Sequence, residues 1–176
     1  PLLNYVIKRP EMLRDMTPQV AEGVVDFIAQ HHIKKVLLAA RWNRYATTAG
    51  FKAALIQTVR TLMNSGAHVY VLKQVHEPGF DVARIAALTT LHGGDLDALG
   101  STKEQHQKSD AELGPTFEQL AQMGATVLDS SDLFLTSRGN YRIIQDGELL
   151  YVDSNHLSLN GVALLVPLFR PLFQAP

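Results

Sequence analysis

The segment Asp153-Ser154-Asn155-His156-Leu157-Ser158 places a carboxylate and an imidazole three residues apart, after a strand-like run and at the mouth of a helical one. At that spacing the carboxylate can accept a hydrogen bond from one ring nitrogen. This fixes the tautomer, so that the other nitrogen can take a proton from a nucleophile. The pair has the form of a general base and its orienter. The same residues also suit a solvated loop in which Asp153 or Ser158 only caps the next helix, and spacing leaves both readings open. A second conspicuous cluster is Arg41-Trp42-Asn43-Arg44-Tyr45. Its lone tryptophan suits either packing at the edge of a core or a platform for a sugar, and the flanking Arg41 and Arg44 suit a sugar or an anionic head group. His31-His32 reads as a solvated helix end. His76, His92 and His106 have no Asp, Glu or His at a regular ligand spacing, so no metal is assigned and no cofactor is expected.

The elements around these residues follow a βαβ rhythm. Residues 18–31 carry Val20, Val24, Phe27 and Ile28 at helical spacing, with Thr17-Pro18 as cap and first turn. The run Val36-Leu37-Leu38-Ala39-Ala40 is short and apolar on both faces, as a buried parallel strand requires. A helix is expected over residues 51–63 and a second buried strand over 68–73. The stretch from His76 to Asp110 is irregular, with Pro78-Gly79, Gly93-Gly94 and a polar tract, and reads as a long surface excursion with short helical pieces. Residues 117–123 continue a helix into a third strand at 125–128. Tyr141 to Gln145, then Asp146-Gly147, then Glu148 to Val152 predicts a hairpin, because Asp-Gly accepts the positive φ angles of a tight turn. The last helix, from Ser158 to Phe173, sets Val162, Leu165, Val166, Phe169 and Phe173 on one stripe, with Ser158 as N-cap. The fold class is α/β with a mainly parallel sheet.

Composition narrows the function classes. Among 176 residues, Lys+Arg 16 against Asp+Glu 17 give a net charge of −1, without the basic surplus that nucleic-acid binding needs. With hydrophobic residues at 46% the chain can build a core, and the longest apolar run, from Val162 to Phe169, is far below the roughly 20 residues that span a bilayer. The absence of cysteine excludes a disulfide framework, a thiolate metal site and a cysteine nucleophile.

Three segments add a resemblance. Tyr151 to Val162 is similar to the closing block of the SGNH hydrolase superfamily, in the version fused behind acyltransferase family 3 membrane domains that O-acetylate cell-surface polysaccharides. Val36 to Tyr45 and Val71 to Asp81 resemble two further segments of that subfamily, in the same order. The resemblance implies a flavodoxin-like three-layer α/β/α domain spanning residues 1–176 that moves an acyl group through a serine ester. Asp153 and His156 then complete a triad, and the oxyanion-hole asparagine falls on Asn43, with Trp42 or Arg41 as further candidates to line that corner or the substrate. The implied partners are an acyl donor, a glycan acceptor and a membrane acyltransferase domain upstream in the parent protein, on the periplasmic or extracytoplasmic face. The family often carries a cysteine pair near its last hairpin, where this chain offers Phe134 and Tyr141.

The family's Gly-Asp-Ser block is not in this sequence. Ser101, after Gly100, is the only Gly-Ser pair, and it lacks the strand-to-turn setting that exposes a nucleophile. Pro1-Leu2-Leu3 resembles the segment just after the family's second strand. The expectation is therefore a C-terminal portion without its first strand-helix-strand, about 30 residues or more, whose serine lies upstream of residue 1 and which is inactive alone. An SGNH acyl-ester hydrolase, and a non-catalytic carbohydrate-binding α/β domain, are the alternatives.

Overall fold

In the computed structural model, which describes residues 2–3 and 16–174, the chain divides into two compact units. Pro1 and the last two residues lie outside the described residues. The first unit comprises Pro1–Lys73 and Asp110–Leu128, the second Gln74–Ser109 and Asp129–Pro176.

The first unit is built on a parallel sheet of order β1-β2-β3, formed by β1 (Lys35–Ala39), β2 (His68–Leu72) and β3 (Thr126–Leu128). Lys35 pairs with His68 and Ala39 with Leu72, while Tyr70 pairs with Thr126 and Leu72 with Leu128. Helices α1 (Met16–Gln30), α2 (Phe51–Asn64) and α5 (Gly114–Gln122) flank it. The α2 face of Leu55, Val59 and Leu62 packs with Val69 and Val71 of the sheet and with Phe117 and Leu120 of α5. Leu2 joins that core, and the Leu3 amide donates to Thr58 Oγ1 at 2.9 Å. The architecture is mixed α/β with a parallel sheet flanked by helices, as the strand and helix patterns require.

The expected inward stripe of α1 is corrected. Val20 (47%), Val24 (47%) and Phe27 (55%) are exposed, while Ala21 (3%) and Ile28 (9%) face inward. Apolar residues cover more than half of this helix's circumference, so periodicity alone does not choose the face that meets α2.

The second unit contains α3 (Val82–Leu91), most of α4 (Lys103–Asp110), α6 (Ser131–Phe134), the hairpin β4 (Ile144–Gln145) and β5 (Glu148–Leu149), and α7 (Leu159–Phe173). The polar tract of the predicted surface excursion is thus the helix α4, and it turns His106 into the interior at 6% exposure. The hairpin turns at Asp146 (φ 52) and Gly147 (φ 83), as expected for Asp-Gly. Its ladder is shorter than expected, because Tyr141 pairs with Leu135 and Tyr151 with Leu157 instead of with each other's strand. Phe134 and Tyr141 are both buried in this unit's core with Ile143, Leu150, Tyr151 and Leu165.

Helix α7 also presents a different stripe from the expected one. Gly161 and Leu165 are its buried residues, whereas Val162, Val166 and Phe173 are exposed. The rotation is set at Gly161, where an added Cβ would stand 2.1 Å from the Leu150 carbonyl oxygen, so only glycine lets the first turn approach the hairpin so closely.

Candidate active site

Residues 153–156 form the connection between the hairpin and α7, and both ends of it are tied down. On the helix side, the Ser158 amide donates to Leu150 O at 2.9 Å and its hydroxyl to Leu149 O at 2.6 Å, while Ser158 Oγ accepts from the Gly161 amide at 3.2 Å. Ser158 is therefore the N-cap its residue type predicts, and it also staples the helix start to β5. On the strand side, Tyr151 pairs with Leu157, and the Val152 amide donates to His156 O at 2.9 Å.

Within the loop, the Asp153 carboxylate has two separate tasks. Its Oδ1 accepts the amides of Asn155 and His156, each at 2.8 Å, which winds the backbone into a tight turn. Its Oδ2 lies 2.7 Å from His156 Nδ1. A carboxylate at that distance requires the ring proton on Nδ1, leaving the Nε2 lone pair as the basic site. The hydrogen bond from His156 and the two backbone amides hold the Asp153 carboxyl down at about 2. It is thus ionised wherever His156 acts as a base. The His156 side chain is 70% exposed and Asp153 46%, and Nε2 has no partner among the described residues. An imidazole oriented by a carboxylate and open at its other nitrogen can relay a proton from an approaching hydroxyl.

The Arg41-to-Tyr45 cluster belongs to the first unit, where residues 42–44 form a 3-10 turn after β1. Trp42 is 3% exposed, and its indole N–H donates to Leu72 O at 2.7 Å. This geometry makes it a core residue holding the end of β1 to β2, with no open ring face for a sugar. The Asn43 side-chain amide donates to Asp110 Oδ1 at 2.7 Å, and Arg41 is exposed. Asp153 and His156 belong to the second unit.

Residue-by-residue reading missed a buried histidine cluster in the second unit. His76 is 4% exposed; its ring stacks on Tyr141 at 4.6 Å and meets the edges of His106 at 5.4 Å and Tyr151 at 6.5 Å. Ser131 Oγ lies 3.4 Å from His106 Nε2. Burial first, and the charge of His106 second, push the His76 imidazole down to about 4. Ser101 Oγ stands 3.2 Å from His76 Nε2 and 3.4 Å from Nδ1, almost equidistant. A hydroxyl between two nitrogens of so weak a base is a packed polar contact and not an activated nucleophile. The only sequence signal for this cluster was a histidine inside an otherwise polar helix.

A parallel α/β architecture, with an oriented Asp-His pair just ahead of its last helix, is the layout of the SGNH class of α/β proteins. The chain belongs to the family of SGNH domains fused to AT3 domains, which matches it over residues 1–171. Among solved structures it is similar to the periplasmic domain of a lipopolysaccharide acetyltransferase from Salmonella ser. Paratyphi A, with a TM-score of 0.68 and 13% identity over 96% of this chain and 67% of that one. At that identity the likeness is one of fold. A comparison with curated protein sequences finds no match. Among the described residues no helix is long and apolar enough to cross a membrane.

Proposed function

We propose that this chain is the SGNH part of a serine-dependent O-acyltransferase, an O-acetyltransferase acting on cell-surface polysaccharide. The observation that carries the reading is the 2.7 Å contact between Asp153 Oδ2 and His156 Nδ1, with the Nε2 side of the ring exposed. Membership of the family fused to AT3 domains supports a membrane acyltransferase domain in the same parent protein. The fold shared with a lipopolysaccharide acetyltransferase periplasmic domain supports an acetyl group, a glycan acceptor and placement on the periplasmic face. In this reading residues 1–176 form one SGNH-type domain whose first strand-helix-strand, with the nucleophilic serine, comes from a preceding segment of the parent.

Proton and acyl group balance in two steps. His156 Nε2 takes the serine proton as the serine oxygen attacks the donor's acyl carbonyl, and returns it to the leaving group as the acyl-serine forms. A sugar hydroxyl then attacks the acyl-serine while His156 removes its proton, and the departing serine oxygen recovers that proton. Asp153 stays ionised throughout and stabilises the imidazolium formed in each step. The resemblance alone makes Asn43 a candidate for the oxyanion hole and Arg41 a candidate for substrate binding; Trp42 is buried and acts by packing.

The test is His156→Ala in the full-length protein. We expect acetyl transfer to fall by about 10³-fold or more, with an unchanged melting temperature, because an exposed imidazole contributes little to packing. Retained transfer overturns the assignment. Release of free acetate in place of acetylated glycan by the wild type identifies the hydrolase, and glycan binding without turnover the non-catalytic domain.

A further inference from the structure

An exposed Asp-His pair gains little from its own attraction, so its geometry has to be imposed by whatever holds the loop. Asp153 and His156 point into solvent, and residue exposure changes abruptly just before them: Tyr151 is 1% exposed and Val152 58%. Tyr151 is therefore the last buried side chain before the loop. Its hydroxyl donates to the His76 carbonyl oxygen at 2.9 Å, deep in the unit. Three residues further along that segment, the Gly79 amide donates to Ser154 O at 3.1 Å. Residues 76–79 thus grip the loop at its root and at its middle. Burial pushes the Tyr151 phenol up, so it remains a donor across the working range of pH. The His76 carbonyl is in turn held in place by the side chain on the same residue, which is wedged between Tyr141, His106 and Tyr151.

We propose that Tyr151 is a positioning residue for His156, its hydroxyl bond to the His76 carbonyl fixing the loop on which the Asp153 carboxylate meets the imidazole. The proposal rests on the reading of His156 as the catalytic base. It assigns Tyr151 no contact with substrate. Without the hydroxyl the loop root keeps its backbone bonds but loses its tie to residue 76, so that it shifts and His156 spends part of its time away from Asp153. A misplacement of about 1 Å costs up to 100-fold in rate.

The experiment is Tyr151→Phe in the full-length protein, with transfer followed across pH and rates normalised to the acyl-enzyme burst. We expect kcat to fall about tenfold with the acceptor KM unchanged. A purely structural role would reduce the amount of active protein, and with it the burst, and leave the burst-normalised kcat where it was. Site-specific 3-fluorotyrosine at 151 keeps the ring and the donor but alters donor strength, and should change kcat by less than Tyr151→Phe does. Should Tyr151→Phe not fold, that analogue carries the test alone, and a kcat identical to wild type overturns the role. Unchanged kcat, with His156→Ala inactive, overturns the positioning role while leaving the base assignment intact. An active His156→Ala overturns the base assignment itself, and the positioning role with it.

Discussion

Acid should loosen the second unit through His76, and the size of the effect follows from its surroundings. The ring is enclosed by Tyr141, by Tyr151 and by His106 of α4, with the Ser101 hydroxyl at its nitrogens; Glu77 adjoins it in the chain. Among the described residues no carboxylate bonds to it, so protonation would bury a cation beside a second imidazole. Its value falls from 6.5 to about 4 on folding, mainly through desolvation and then through His106. A difference of that size corresponds to about 3 kcal/mol, at roughly 1.4 kcal/mol per unit. The unfolded chain binds this proton first as pH falls, so stability is full above 6.5, declines from there toward pH 4, and levels off below. Asp153 changes charge only below this window, its carboxyl being held at about 2. The lone tryptophan, Trp42, reports on the first unit, so the assay of choice is amide hydrogen exchange resolved by segment in the full-length protein. Between pH 7 and pH 4, protection in the second unit should fall about 100-fold beyond the intrinsic change in wild type, and hardly at all in His76→Gln. Parallel pH dependences in the two proteins would refute the reasoning.

Other consequences are equally direct. Gly161→Ala pushes a methyl group onto the Leu150 carbonyl, at 2.1 Å in the present backbone, so the start of α7 must lift from the hairpin. We expect a loss of about 1–3 kcal/mol in denaturant unfolding, and a matching loss of transfer because the moved segment adjoins Asp153 and His156. Trp42→Phe leaves the Leu72 carbonyl without the indole donor. It should destabilise the first unit by about 1–3 kcal/mol while leaving the acceptor KM unchanged, and a raised KM with unchanged stability would restore the platform role.

Much of the framework could be read from local chemistry. The apolar runs at 36–40 and 68–73 became β1 and β2, though only β2 is buried and Leu37 of β1 is exposed; Asp146-Gly147 became the hairpin turn, and Ser158 became the cap of α7. Each depends on residues within a few positions of one another. The Asp153-His156 contact was legible for the same reason, since the spacing that suggests it also permits it. What escaped depends on distance along the chain. His76, His106 and Tyr141 meet across three separate segments, and α4 has no apolar stripe to announce that one face is buried. Helices α1 and α7 were placed correctly but turned wrongly, because both are apolar over too much of their surface for periodicity to choose a side.

The interleaving of the two units bears on the order in which this protein can be made. The sheet of the first unit is complete in sequence once Leu128 has been synthesised. By then Gln74–Ser109 has also emerged, but without Tyr141 and Tyr151 to cover His76 and His106. On a ribosome, where early segments fold first, the half of the molecule carrying Asp153 and His156 must wait as an open chain beside a finished one. A premature stop shortly after residue 128 would therefore do more than remove Asp153 and His156. It would strand the 74–109 segment with two histidines and Val82 unburied, a product that quality-control proteases should recognise more readily than a simple truncation.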